Sequence, residues 1–84
     1  MSESTVQFSL EDVQTMALFS TRLKQLRSDS GLSLRGLAKE VGVTANAVLR
    51  WEKAEVTPTR GKMIELARFF QVELGWLAWG LGNK

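Results

Sequence analysis

The sequence predicts an all-α domain, and three observations carry that expectation. Apolar residues recur three and four positions apart along most of the chain, as buried helical stripes require. Serine or threonine stands just ahead of these stretches, where a helix N-cap belongs, and glycines follow several of them. The only proline, Pro58, falls between two stretches and not inside one.

Residues 1–8 are polar and aperiodic and read as a loose arm ahead of a single domain over 9–84. Ser9 followed by Asp12 resembles a capping box, with Glu11 and Asp12 suited to the positive end of a helix starting near Leu10. Leu10, Val13, Ala17, Phe19, Leu23 and Leu26 carry the apolar spacing as far as Ser30 and Gly31. That stretch is one long helix or two broken near Ser20, so the domain has five helices or six. Ser33 caps a helix over Leu34–Val41 that buries Leu37, Ala38 and Val41. Gly42 supplies a left-handed corner, Val43 buries it, and Thr44 caps the helix from Ala45 to about Lys53, with Val48 and Trp51 facing inward. After a loop from Ala54 to Pro58, Thr59 caps a helix from Gly61 to Phe70 whose stripe is Met63, Ile64, Leu66, Ala67 and Phe70. A last helix spans Val72 to Trp79 and ends at Gly80 and Gly82.

At 84 residues the chain holds one small domain, near the size at which a core is stable without staples. It has no cysteine and no histidine, which excludes disulfides and removes the usual ligands of zinc or haem; no cofactor is called for. With those residues absent and no paired carboxylates in an evident cleft, the chain does not read as an enzyme. No apolar run approaches the roughly 20 residues that span a bilayer, and the start lacks a secretory pattern, so a soluble, cytoplasmic protein is expected. The formal charge of +2 hides a polar distribution: residues 20–63 carry nine cations against four carboxylates, whereas residues 1–19 carry three carboxylates and no cation. Positive charge is gathered where a polyanion would be met.

Two short amphipathic helices around Gly42 form a helix-turn-helix pattern, and the outward residues of the second suit base edges and phosphates. Asn46 and Arg50, four apart, share one face; asparagine pairs bidentately with adenine and arginine with guanine, and Ala45 can meet a thymine methyl. Thr44 and Lys53 flank them as phosphate contacts. Arg60 and Lys62 fall in the first turn of a helix, where the dipole disfavours cations. Their presence is explained if a phosphate sits there, accepting from the amides of Arg60 and Gly61. Lys24, Arg22 and Arg35 are weaker candidates of the same kind, and Trp51, opposite the reading face, belongs to the core.

With Arg22, Leu23, Leu26, Arg27, Gly31, Leu32, Leu37, Ala38, Val41, Gly42, Val43, Val48, Trp51, Glu52, Pro58, Leu66, Ala67, Val72 and Trp76 in this order, the chain resembles the Cro and cI-type helix-turn-helix family over about residues 20–80. These are the lambdoid phage repressors and the xenobiotic response element regulators. The resemblance implies a lambda-repressor-like fold, with Leu34–Val41 as positioning helix and Thr44–Lys53 as recognition helix in the major groove. It also implies a partly buried salt bridge between Arg27 and Glu52. Leu34 departs from the glutamine or threonine that many relatives place there to bond a phosphate, so that contact passes to free backbone amides, to Ser33 or to Arg35. Lys53, Ala54, Glu55 and Val56 likewise replace the asparagine, glycine and basic loop common in relatives.

Relatives pair subunits through the last helix, which assigns Trp79, Leu77 and Leu81 to a dimer interface and Trp76 mainly to the core. The function so implied is that of a phage or prophage-type repressor, binding a near-palindromic double-stranded operator as a homodimer. Such a chain is either a complete Cro-like protein or the N-terminal domain of a longer repressor. Two alternatives stay open: an antitoxin that autorepresses its operon and meets its protein partner through residues 1–19, or a helix-turn-helix fold used only for protein interaction.

Overall fold

The apolar stripes assemble into five helices in a computed structural model that describes residues 10–84, with side chains from Leu18 onward. They are α1 (Leu10–Asp29), α2 (Leu34–Val41), α3 (Ala45–Glu52), α4 (Arg60–Phe70) and α5 (Leu74–Trp79). The arm over residues 1–8 and the Ser9 cap lie outside the described residues.

One fully buried side chain from each helix meets at the centre: Leu23, Leu37, Val48, Leu66 and Leu77. Burying each such side chain stabilises the domain by roughly 1.5–3 kcal/mol, and without cysteine this packing is what holds the helices together. Around these five pack Phe19, Leu26, Ala38, Val41, Trp51, Met63, Ala67 and Ala78. α2 lies on α3 and α4, α1 runs against α3 and α5, and α4 closes on α5. The recognition pair is thus supported from behind by α1 and α4, which α5 in turn braces.

α1 is continuous through Ser20. A serine within a helix tends to bond its own backbone and loosen the turn. Here Ser20 is buried and its hydroxyl donates to the Trp51 carbonyl at the end of α3, 2.7 Å away. Among the described residues the helices therefore number five, not six.

The other boundaries shift little. α3 ends at Glu52, and Lys53 is its C-cap. α5 starts at Leu74, two residues later than the spacing suggests, because Gln71 adopts a left-handed conformation (φ 57°, ψ 46°) to close α4. Val72 then packs on the core from the linker. Leu77 needs a larger correction: fully buried, it is a core residue and cannot form part of a dimer interface. In α5 it points the same way as Ala78 towards the bundle, leaving Trp79 outside.

Candidate nucleic-acid interface

Three helix N-termini and one exposed helical face make up the site. Each cap is a side-chain oxygen accepting from a backbone amide: Ser33 Oγ from Gly36 at 2.9 Å, Thr44 Oγ1 from Ala47 at 3.1 Å, and Thr59 Oγ1 from Lys62 at 3.2 Å. The preceding amides, Leu34 and Arg35, Ala45 and Asn46, Arg60 and Gly61, have no acceptor within their own helices, as helix geometry dictates. They are donors for an anion. Between α2 and α3, Gly42 takes φ 70° and ψ 39°, and Val43 donates to the Ala38 carbonyl at 2.9 Å. The left-handed residue reverses the chain in a single step and sets the angle of α3 against α2.

On α3, Asn46, Leu49, Arg50 and Lys53 are exposed and stand three or four apart, so they form one outward stripe. Ala45 does not belong to it in full; together with Ala47 it packs against the core. Expected to meet a thymine methyl, Ala45 is half-buried and lines the hollow between the starts of α2 and α3. Leu49 was not anticipated. It is an exposed aliphatic side chain between Asn46 and Lys53, and the signal that points to it is that same spacing.

The cations divide into free and committed groups. Arg35 and Lys39, one turn apart on α2, are exposed and form no ion pair among the described residues. With Ser33, Gly36, Ala38, Val43 and Ala45 they line an open hollow between the starts of α2 and α3. Lys39 was also missed, although its spacing from Arg35 shows it. Arg60 is exposed at the start of α4. Lys24 lines a polar hollow beside α1 with Ser20, Thr21, Gln25, Arg27, Ser28 and Glu52.

Lys62, by contrast, donates to the Val41 carbonyl at 2.7 Å and lies 3.3 Å from Glu65. Expected as a phosphate contact, it rests its charge on the unpaired carbonyls and negative dipole at the end of α2. Arg22 is committed too, donating Nε and Nη2 to the Leu77 carbonyl at 3.0 and 2.8 Å while lying over the Trp76 ring. Burial there lowers its pKa from the usual arginine value.

Arg27 and Glu52 form the bidentate pair that the resemblance implies, at 2.6 and 2.9 Å, and Arg27 Nη1 also donates to the Leu32 carbonyl at 2.8 Å. The Glu52 side chain is only 5% exposed. Its hydrogen bond holds the Arg27 guanidinium above the ordinary arginine pKa, against the opposing effect of burial. The pair ties the last turn of α1 to the last turn of α3. Arg50 and Lys53 meet Glu55 at 3.5 and 3.8 Å on the surface. On the far side of α4, Trp79 and Leu81 are exposed, and Trp79 borders a hollow of about 180 Å³ with Thr57, Pro58, Arg60, Met63, Leu74 and Ala78.

A short helix held out on a capped partner, its outer stripe polar and cationic, with open amides at the neighbouring helix ends, is how a DNA-binding domain of a transcriptional regulator presents its reading element. The chain belongs to the helix-turn-helix family of the Cro/cI type, whose family model matches residues 23–77. Over 43 residues it is 37% identical to an uncharacterized HTH-type transcriptional regulator of Haemophilus influenzae, a match covering 51% of this chain but 18% of that protein. The chain thus spans less than a fifth of that relative. Among solved structures it is similar to the P22 c2 repressor in complex with a synthetic operator (27% identity, TM-score 0.72, 75% of this chain and 96% of that one). It is similar also to the SOS-response transcriptional repressor LexA from Eubacterium rectale (26% identity, TM-score 0.75, 84% and 78%). The DNA-binding domain of the P22 c2 repressor in solution gives 26% identity and a TM-score of 0.70 over 77% and 86%. Among the described residues no helix is long and apolar enough to cross a membrane.

Proposed function

We propose that this chain is a sequence-specific repressor of the phage or prophage type, occupying a near-palindromic operator as a homodimer. The observation that carries the reading is the outward stripe of α3, where Asn46, Leu49, Arg50 and Lys53 stand exposed on a helix locked from behind by Val48 and Trp51. Asn46 reads adenine and Arg50 guanine, each through two hydrogen bonds, while Leu49 meets a thymine methyl and Lys53 a phosphate. Anchoring on phosphate falls to the amides at the starts of α2, α3 and α4, to Ser33 and Thr44, and to Arg35, Lys39, Arg60 and Lys24. Because Leu34 is aliphatic and half-buried, the amides and Arg35 carry what a polar first residue does elsewhere.

The second copy docks on the α5 end, through Trp79 and Leu81. Trp79 is 54% exposed beside an apolar hollow, and exposed aromatic side chains of this kind are enriched at subunit interfaces. Two-fold pairing there sets two copies of α3 about 10 base pairs apart, one turn of the duplex. The likeness to a repressor solved on its operator supports the repressor reading.

Selection of bound duplexes from a random pool tests all of this at once. The expected product is an inverted repeat with half-sites about 10 base pairs apart, centre to centre. A single unpaired motif contradicts the dimer, and a pool without enrichment contradicts sequence-specific binding.

A further inference from the structure

We propose that Glu55 is a positioning residue for base recognition: its carboxylate holds Arg50 by the Nε edge and so fixes the guanidinium that reads the operator. The inference rests on the reading of α3 given above. Ala54 has a positive φ of 59°, and the chain reverses there, with Ala54 donating to the Trp51 carbonyl at 3.1 Å and Glu55 donating to that of Arg50 at 2.9 Å. The reversal brings Glu55 back over the last turn of α3. One carboxylate oxygen then lies 3.5 Å from Arg50 Nε and the other 3.8 Å from Lys53 Nζ.

The Arg50–Glu55 contact is an ion pair at 3.5 Å, not a hydrogen bond, and the Nη groups of Arg50 have no partner among the described residues. A guanidinium has five donors, and guanine O6 and N7 need only two, so an arginine held at Nε can still pair bidentately. In the free protein both side chains are about half exposed and water screens the pair. When duplex DNA displaces that water the same pair becomes stronger.

A carboxylate in this place also repels phosphate. The two effects have opposite signs and act on different DNA: repulsion weakens binding to every sequence, whereas positioning strengthens only the sequence that Arg50 reads. That separation makes the role measurable.

The test compares wild type, Glu55→Gln, Arg50→Ala and the double variant on the duplex selected from a random pool and on an unrelated duplex, at one salt concentration. Glutamine keeps the size of Glu55, and the backbone bonds at the reversal do not use the carboxylate, so the fold is retained. In Glu55→Gln, affinity for the unrelated duplex is expected to rise, while the ratio of selected to unrelated affinity falls by about fivefold or more, the lower end of what a bidentate base contact contributes. In the Arg50→Ala background the same change is expected to leave the ratio unaltered. A rise of both affinities by one common factor overturns the proposal, because Glu55 then acts through its charge alone. A wild-type ratio near one overturns the reading of α3 itself, and the proposal with it.

Discussion

The Ser20 hydroxyl donates to the Trp51 carbonyl at 2.7 Å, joining the middle of α1 to the end of the recognition helix across 31 residues of sequence. Trp51 O also accepts from the Ala54 amide at 3.1 Å, so removing the hydroxyl does not leave that carbonyl bare. Ser20→Ala is therefore expected to cost about 1 kcal/mol, near the mean for an intramolecular hydrogen bond. In a domain of this size that is a fall of roughly 4–8 °C in Tm. A calorimetric scan checks it, and an unchanged Tm contradicts the bond.

The Arg27–Glu52 pair gives a sharper contrast. Either single change, Arg27→Met or Glu52→Leu, strands one buried partner and is expected to destabilise by about 3–5 kcal/mol. The double variant is expected to cost less than the two singles together, because no unpaired charge remains. Denaturant titration of the four proteins gives the cycle. Strict additivity means that the two side chains do not interact.

Gly42 and Ala54 are both left-handed, and they predict opposite outcomes. A Cβ at Gly42 meets only Lys62 Nζ, at 3.6 Å, so Gly42→Ala suffers backbone strain without a clash, about 1–2 kcal/mol. At Ala54, with φ 59°, the strain is already present. Ala54→Gly relieves it at some cost in unfolded-state entropy, for a net gain of about 0.5–1 kcal/mol. Equal destabilisation in both variants contradicts the left-handed turn after α3.

Leu77 and Trp79 separate core from interface. Leu77→Ala, at a fully buried site, is expected to cost about 2–5 kcal/mol. Trp79→Ala removes a half-exposed ring and is expected to leave the monomer's stability within about 1 kcal/mol while lowering the solution mass from dimer to monomer. Sedimentation at tens of micromolar protein decides. A wild-type monomer contradicts pairing through α5.

The local devices were legible because they act over a few residues. Ser33, Thr44 and Thr59 are the caps their spacing implies, and Gly42 is the turn. What the sequence hid were the long-range partners. Nothing near Ser20 indicates that a carbonyl 31 residues away will take its hydroxyl, and nothing near Lys62 indicates that α4 sets its ammonium on the end of α2. The periodicity of a six-residue helix was also too short to decide which of Leu77 and Trp79 faces in. Leu49 shares the helical spacing of Asn46 and Lys53, but an aliphatic side chain carries no hydrogen-bonding signature that marks it as part of a reading face. Asn46 and Arg50 do stand exposed together on α3, as their spacing requires.

That shared face is the central claim, and Arg50→Ala on a panel of single-base operator variants tests it most directly. The account predicts a loss of about 1–3 kcal/mol in affinity for the best operator and the disappearance of preference at one guanine, with every other position still discriminated. Undiminished preference at every position would place base reading elsewhere on the molecule.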